Sequence, residues 1–296
     1  CNRVADHYRF LLTEYKNIKE ISVEACCDLN EDFSKKLSKS FSANHFTDLD
    51  EMLKVDLELI LVLTPSGLHF EHCHKILSNG ISVVVEKPIC LIPEQAFELD
   101  TLAKSKNLFI SSVFQNRYNP AIKKLKSHMD NDGFGKLISA SLRLRWCRYQ
   151  EYYEDGWHGT WKFDGGVICQ QAIHHIDALR WILGPVDSVC ATMSNQLNSL
   201  EAEDTLIGLV KFTSGCMATI EVTTAARPKD FEASISIVGE KGMAQVGGIA
   251  LNMIDSWDFI DSNESEIEVA ELFSQDVLNG MGYGHLSYLE DLVHAI

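Results

Sequence analysis

The chain has 296 residues, more than one hydrophobic core usually serves, with 46% hydrophobic and 23% charged residues, an ordinary globular composition. Its 26 basic and 42 acidic residues leave a net charge of -16, a surface that repels nucleic-acid phosphates and anionic lipid. An anionic small substrate stays open, because a local basic pocket outweighs a distant field screened by salt.

Residues 4–16 read as a helix, with Val4, Tyr8, Leu11, Leu12 and Tyr15 at helical spacing. Ile21 to Cys27 reads as a short strand ending at Asp28, and a helix over 31–39 follows. Leu57 to Leu63 is a nearly all-apolar strand stopped by Thr64-Pro65-Ser66-Gly67, which opens a helix over 68–78 that closes on Asn79-Gly80. Strand 81–85 runs into Glu86-Lys87-Pro88, helix 93–105 follows, and 108–113 is another apolar strand. Apolar strands alternating with helices predict a parallel sheet covered on both faces, whose ligands sit beyond the carboxyl ends of the strands. Four places qualify: Asp28, Thr64 to His69, Glu86 to Pro88, and Gln115 to Arg117.

The second half reads differently. After a helix over 119–129, strands recur at 136–148, 187–197, 204–213, 216–226, 231–238 and 243–247, linked mostly by tight turns such as Thr213-Ser214-Gly215. This predicts a largely antiparallel sheet. One strong helix, over 173–182, interrupts them, and helices on one face leave the other face open for pairing of copies. The expected fold is α/β, a Rossmann-type unit over 1–117 followed by an α+β unit over 118–296.

The nine cysteines have no recurring spacing, and adjacent Cys26-Cys27 are a poor geometry for a mutual bridge, so reduced thiols of a cytoplasmic protein are expected. His69, His72, Cys73 and His74 form a cluster without a second ligand group, so no metal is expected. No apolar run approaches the ~18 residues needed to span a bilayer, and no signal peptide opens the chain, so a membrane partner is not expected either.

At Glu86-Lys87-Pro88 the chain begins to resemble the Gfo/Idh/MocA oxidoreductases. Thr64-Pro65-Ser66 with His69, then Gly80 and Glu86-Lys87-Pro88, match that family's nucleotide-domain pattern in order and spacing. Gln115 to Pro120 resembles its domain-junction motif, and Gly165-Gly166 through Gln170 to His174-His175-Ile176-Asp177 its catalytic helix. Trp157, Gly159-Thr160-Trp161 and Glu203-Asp204-Thr205 look further like nucleotide-sugar 3-dehydrogenases, which oxidise UDP-N-acetylglucosamine or its uronate for cell-surface polysaccharides. Two departures stand out. The chain opens where the family's glycine turn ends, with Asn2 in place of a glycine, so residues before Cys1 and a strand after Ile296 are expected. Gln170 stands where many relatives place an aspartate, and a neutral amide takes no proton.

The resemblance implies NAD as cofactor, with its pyrophosphate over Asn2, Arg3 and Val4 at a helix N-terminus. Asp28 would bind the adenosine ribose or else cap the next helix. Thr64, Pro65 and His69 would wall the nicotinamide, although His69 also reads as a satisfied helix residue, and Glu86 and Gln115 complete the cofactor set. Lys87, otherwise a surface lysine, is the expected base, its ammonium disfavoured near the positive nicotinamide ring. His174 is its expected partner, with Asp177 able to orient a histidine ring and His175 structural or at the substrate. Arg117, Trp157, Trp161, Lys162 and Gln170 are the remaining expected substrate contacts, through ring stacking and charged pairs, although the tryptophans also suit a core. The expected activity is NAD-dependent oxidation of a secondary sugar hydroxyl. Its rivals are a free-sugar or inositol-type dehydrogenase, an NAD-dependent glycosidase and a non-catalytic sensor. A homodimer or homotetramer through the C-terminal sheet is expected.

Overall fold

The computed structural model describes residues 2–14, 21–260, 264–277 and 284–296. The chain divides into two compact units, Cys1–Val113 with Tyr288–Ile296, and Phe114–Ser287.

The first unit alternates helix and strand. Helix α1 (Asn2–Glu14) is followed by β1 (Ala25–Cys27), α2 (Glu31–Lys39), β2 (Asn44–Phe46) and the single turn α3 (Leu49–Met52). Then come β3 (Leu59–Val62), α4 (His69–Ser78), β4 (Ser82–Val85), α5 (Pro93–Ser105) and β5 (Ile110–Ser112). All pairings are parallel: β1 with β2, and β3 with β4 with β5. Val83, Val84 and Val85 of the central β4 are fully buried, as expected of a parallel strand covered on both faces. Ile76 and Leu77 of α4 and Leu99 of α5 pack against that ladder. The strands are shorter than their apolar runs. Residues 21–24 stay irregular, with the Ser22 hydroxyl donating to the Glu24 carboxylate at 2.6 Å. The polar β2 carries exposed Asn44 and His45, and its parallel register with β1 is what makes it a strand.

The second unit begins with α6 (Pro120–Asp130) and β6 (Leu137–Arg145), then α7 (Gly166–Gln170) and α8 (Ile173–Leu183). Six strands follow: β7 (Val186–Ser194), β8 (Thr205–Phe212), β9 (Met217–Thr223), β10 (Glu232–Gly239), β11 (Gly242–Gly247) and β12 (Met253–Phe259). Helix α9 (Glu266–Phe273) follows, and α10 (Gly284–Ala295), which belongs to the first unit from Tyr288 on, ends the chain. The sheet order is β12-β11-β10-β6-β9-β8-β7, antiparallel throughout except for the parallel pair β6 and β9. Buried and exposed residues alternate along β8, with Leu206, Val210 and Phe212 on the core face and Ile207 and Leu209 on the open one. The strand β12 and the helices α9 and α10 are additions to the sequence expectation. Asp255, Ser256 and Asp258 interrupt the apolar pattern of β12, while Ile254 and Trp257 carry its buried face.

Two local features set up the segment from α7 to α8. Gly165 and Gly166 take left-handed conformations, φ 77° and 81°, that turn the chain into α7. A Cβ on Gly166 would stand 2.0 Å from Oε2 of the buried Glu203. On α8, His175 turns to the core at 1% exposure, edge-on to Trp146, and neither ring nitrogen has a partner among the described residues. Burial pushes its pKa from the ordinary 6.5 down to about 4.

Gly166→Ala should therefore unfold at lower urea than the parent, by more than the roughly 1–2 kcal/mol that a left-handed alanine costs. Gly156→Ala, with φ 88° and nothing within 4 Å of its Cβ, should show that backbone cost alone. Equal losses in the two variants would remove Glu203 from the account.

A histidine held neutral stabilises the fold above its unfolded pKa, and that contribution is lost as pH falls from 6.5 to about 4. His175→Leu should lack this loss, on the order of 3 kcal/mol, relative to the parent. Urea unfolding across that window checks it, and parallel curves for parent and variant would refute it.

Candidate functional site

In the first unit the strand ends carry the polar residues. The Asp28 amide extends the β1 pairing to the Phe46 carbonyl at 3.2 Å, and its Oδ1 accepts from the Asn30 amide at 2.8 Å. The cap of α2 is Asn30, which accepts from the Phe33 amide, so Asp28 stands at the strand end without the capping role. Helix α1 begins at Asn2, and Val4 is half-buried in its first turn. The side chains of Asn2 and Arg3 lie outside the described residues.

Beyond β4, the buried Glu86 accepts the Tyr8 hydroxyl on Oε1 at 2.8 Å and the Lys87 amide on Oε2 at 3.2 Å. Burial, then the Glu86 carboxylate, raise the Tyr8 phenol well above its ordinary pKa, so it stays a donor. Lys87 follows, half-buried and followed by Pro88. His69, 1% exposed, reaches two carbonyls, Pro88 from Nδ1 at 2.6 Å and Thr64 from Nε2 at 2.8 Å. Beside it Thr64 Oγ1 meets His72 Nδ1 at 3.0 Å, and Pro65 is half-buried. His74 turns instead to Glu98 at 3.5 Å, and burial pushes the Cys73 thiol up to about 12. The side chains of this histidine-rich turn thus point to separate partners.

In the second unit, Gln115 and Asn116 are buried in the single 3-10 turn Gln115–Tyr118. Arg117 was expected to face substrate. Its guanidinium instead forms a two-point pair with Asp177, Nε to Oδ2 at 2.7 Å and the second contact at 2.5 Å, between the rings of Phe114 and Trp181. Asp177 thereby fixes α8 to this turn, and among the described residues its side-chain bonds go to Arg117 rather than to a histidine. His174 is half-buried, its ring edge-on to Phe114 at 6.2 Å, and Gln170 is half-buried at the end of α7. His175, expected as structural or at the substrate, lies in the core at 1% exposure, as the structural alternative has it.

Neither expected sugar-stacking tryptophan is a core residue. Trp157 lies half-buried against His158 at 3.6 Å between ring centroids, and Trp161 is 46% exposed. Lys162 is exposed, its ammonium 5.0 Å from the Phe163 ring. The loop that presents them is pinned from below: the Gly159 amide donates to Asp164, and the Gly159 carbonyl accepts from Glu201 and Ala202. Sequence reasoning took Tyr8 only as an apolar helix position and missed its bond to Glu86. No signal in the sequence marks that bond.

The residues present fit a dinucleotide. Asp28 offers a strand-end carboxylate with no cation paired to it among the described residues, which suits a ribose diol. In the same unit Ser112 Oγ, at the end of β5, is among the buried polar atoms without a partner among the described residues. Buried polar atoms left this way in a native chain call for a polar ligand or water.

Residues 5–114 match a family model described as an oxidoreductase family with an NAD-binding Rossmann fold, and residues 122–245 match the Gfo/Idh/MocA C-terminal domain. The WlbA dehydrogenase of Chromobacterium violaceum, solved with NADH and UDP-GlcNAcA, is 32% identical with a TM-score of 0.90, over 99% of this chain and 83% of that one. The WlbA dehydrogenase of Bordetella pertussis, with the same ligands, is 29% identical with a TM-score of 0.88, over 98% of this chain and 84% of that one. The D-glucoside 3-dehydrogenase of Escherichia coli is 24% identical over 78% of this chain and 71% of its own length. Against two curated oxidoreductases of unassigned activity the chain spans 59% and 47% of their length. The chain belongs to the Gfo/Idh/MocA family of oxidoreductases, with an NAD-binding Rossmann fold in its N-terminal part.

Proposed function

We propose that this protein is an NAD-dependent dehydrogenase that oxidises a secondary hydroxyl of a nucleotide sugar, C3 of a UDP-linked N-acetylhexosamine or its uronate. The observation that carries the reading is the likeness, at a TM-score of 0.90, to a dehydrogenase solved with NADH and UDP-GlcNAcA. The likeness to a D-glucoside 3-dehydrogenase favours a free sugar as the second reading. In the proposal the α1 N-terminus takes the pyrophosphate, Asp28 the adenosine ribose, and Thr64, Pro65, Glu86 and Gln115 the remainder. A bound dinucleotide would supply the hydride acceptor.

The protein's own groups handle the proton. Lys87 hydrogen-bonds the hydroxyl and takes its proton, and the same contact places the carbon. His174 polarises the hydroxyl or passes the proton onward. Gln170 hydrogen-bonds the sugar but takes no proton, so the base role falls on Lys87 alone. Trp157 and Trp161 offer ring faces to the pyranose, and Lys162 a charge for phosphate or carboxylate. With Arg117 held by Asp177, Lys162 is the substrate's charged partner in this reading. The open face of the seven-stranded sheet, with Ile207, Leu209 and Met217 each more than half exposed, is where a second copy would pack. The reading also places the protein in the cytoplasm. Among the described residues no helix is long and apolar enough to cross a membrane.

Turnover on UDP-sugars against the free sugars decides between the two substrate readings. On the better substrate Lys87→Ala should lower kcat/KM by about 10²–10⁴, the range for loss of a general base. His174→Ala should cost less if that ring only orients. Near-parental turnover by Lys87→Ala would refute the mechanism.

Calorimetry should find NAD(H) bound more tightly than NADP(H), because Asp28 repels a 2′-phosphate, and Asp28→Ala should narrow the gap. Tighter binding of NADP(H) by the parent would remove Asp28 from the cofactor site.

A further inference from the structure

His69 makes two contacts that a neutral imidazole cannot satisfy together. Both partners, the carbonyls of Thr64 and Pro88, accept and never donate, and they lie 2.8 and 2.6 Å from Nε2 and Nδ1. A neutral ring has one N–H, so its other nitrogen would set a lone pair against a carbonyl lone pair. Only the protonated ring, with an N–H on each nitrogen, meets both oxygens. We propose that His69 holds a proton on both ring nitrogens and acts as a positioning residue, clamping the Thr64 and Pro88 carbonyls together so that Lys87 is fixed beyond β4.

Taken together the surroundings lower the ring's pKa from its ordinary 6.5, against the doubly protonated form that the two carbonyls require. Burial is the largest influence on the ring and drives it toward the neutral form, and the Lys87 charge acts in the same direction. The two carbonyl bonds and the Glu86 carboxylate oppose this. Beside the ring, Glu86 accepts from Tyr8 and from the Lys87 amide. On the ring's own helix, Glu71 is exposed and His72 turns its Nδ1 to the Thr64 hydroxyl. The distances decide the matter, because hydrogen bonds to a charged donor are the short ones.

The clamp joins segments that the sheet alone does not tie. Thr64 lies beyond the end of β3 and Pro88 beyond the end of β4, where the ladder has stopped. Loss of the second proton removes one of the two bonds and frees either the Thr64 turn or the segment that carries Lys87. The consequence for catalysis rests on the reading of Lys87 as the base; the protonation state does not.

The decisive measurement needs no variant and no substrate. Histidine-labelled protein, its resonances assigned through the backbone, should show both His69 ring nitrogens in the protonated range at neutral pH, each with a slowly exchanging proton. One ring nitrogen in the unprotonated range would overturn the proposal. In turnover, His69→Gln should lower kcat about a hundredfold, as for a misplaced catalytic group, while KM for the cofactor changes less. Parental kcat in His69→Gln would overturn the positioning role. A parent that oxidises no sugar, with both ring nitrogens protonated, would refute the functional reading and leave the clamp standing.

Discussion

Each candidate catalytic segment stands on a buried carboxylate. Glu86 ends the run of β4 with one oxygen on the Tyr8 hydroxyl of α1 and the other on the amide of Lys87. Glu203 lies under the turn into α7, its carbonyl accepting from the Val167 amide and its Oε1 from the Ile168 amide. An anion buried in this way is costly unless its bonds are kept, so the backbone that supplies them is held in one arrangement. Lys87 follows directly from the first such arrangement. Gln170 and His174 follow from the second, by way of α7 and α8.

The glycines answer to the same constraint. Burial raises the Glu203 carboxyl above its ordinary range despite the amides that act to lower it, and the carboxyl sits where a side chain on Gly166 would project. A glycine pair at the turn thus leaves room for the acid as well as supplying the left-handed backbone. Arg117 and Asp177 complete the support: their pairing ties α8 to the Gln115–Tyr118 turn, with the rings of Phe114 and Trp181 beside the guanidinium. An arginine that sequence logic assigns to an anionic substrate is in this way part of the frame that holds the helix.

Polar contacts shape the loops as much as apolar packing shapes the sheets. In the first unit the core is the valine run of β4 against α4 and α5. What lies above it is set by Glu86, His69 and Thr64. In the second unit the inner face of the seven-stranded sheet is apolar from Leu142 to Ile254. The loop bearing Trp157 and Trp161 is held by Asp164, Gly159 and Glu201. Aromatic side chains can then remain half-buried or exposed on a loop that is itself well fixed.

Much of this was legible in the sequence. The apolar runs ending in Asp28, Thr64 and Glu86-Lys87 mark parallel strands and their ligand-side ends, because burial on both faces needs continuous apolar residues and a polar stop. The alternation of β8 and the tight turns of the second half marked an open antiparallel sheet for a similar reason. Short polar β2 and the interrupted β12 were not legible, since their strand character comes from pairing with neighbours. Nor was the division of labour between His174 and His175. Neighbours on a helix point about 100° apart, and only the packing of Trp146 decides which ring enters the core. The bonds of Tyr8 to Glu86 and of Arg117 to Asp177 join residues far apart in the chain. Local pattern determined the elements and their polar ends; which polar groups meet was decided by tertiary structure alone, because a hydrogen bond depends on distance and angle that no spacing along the chain records.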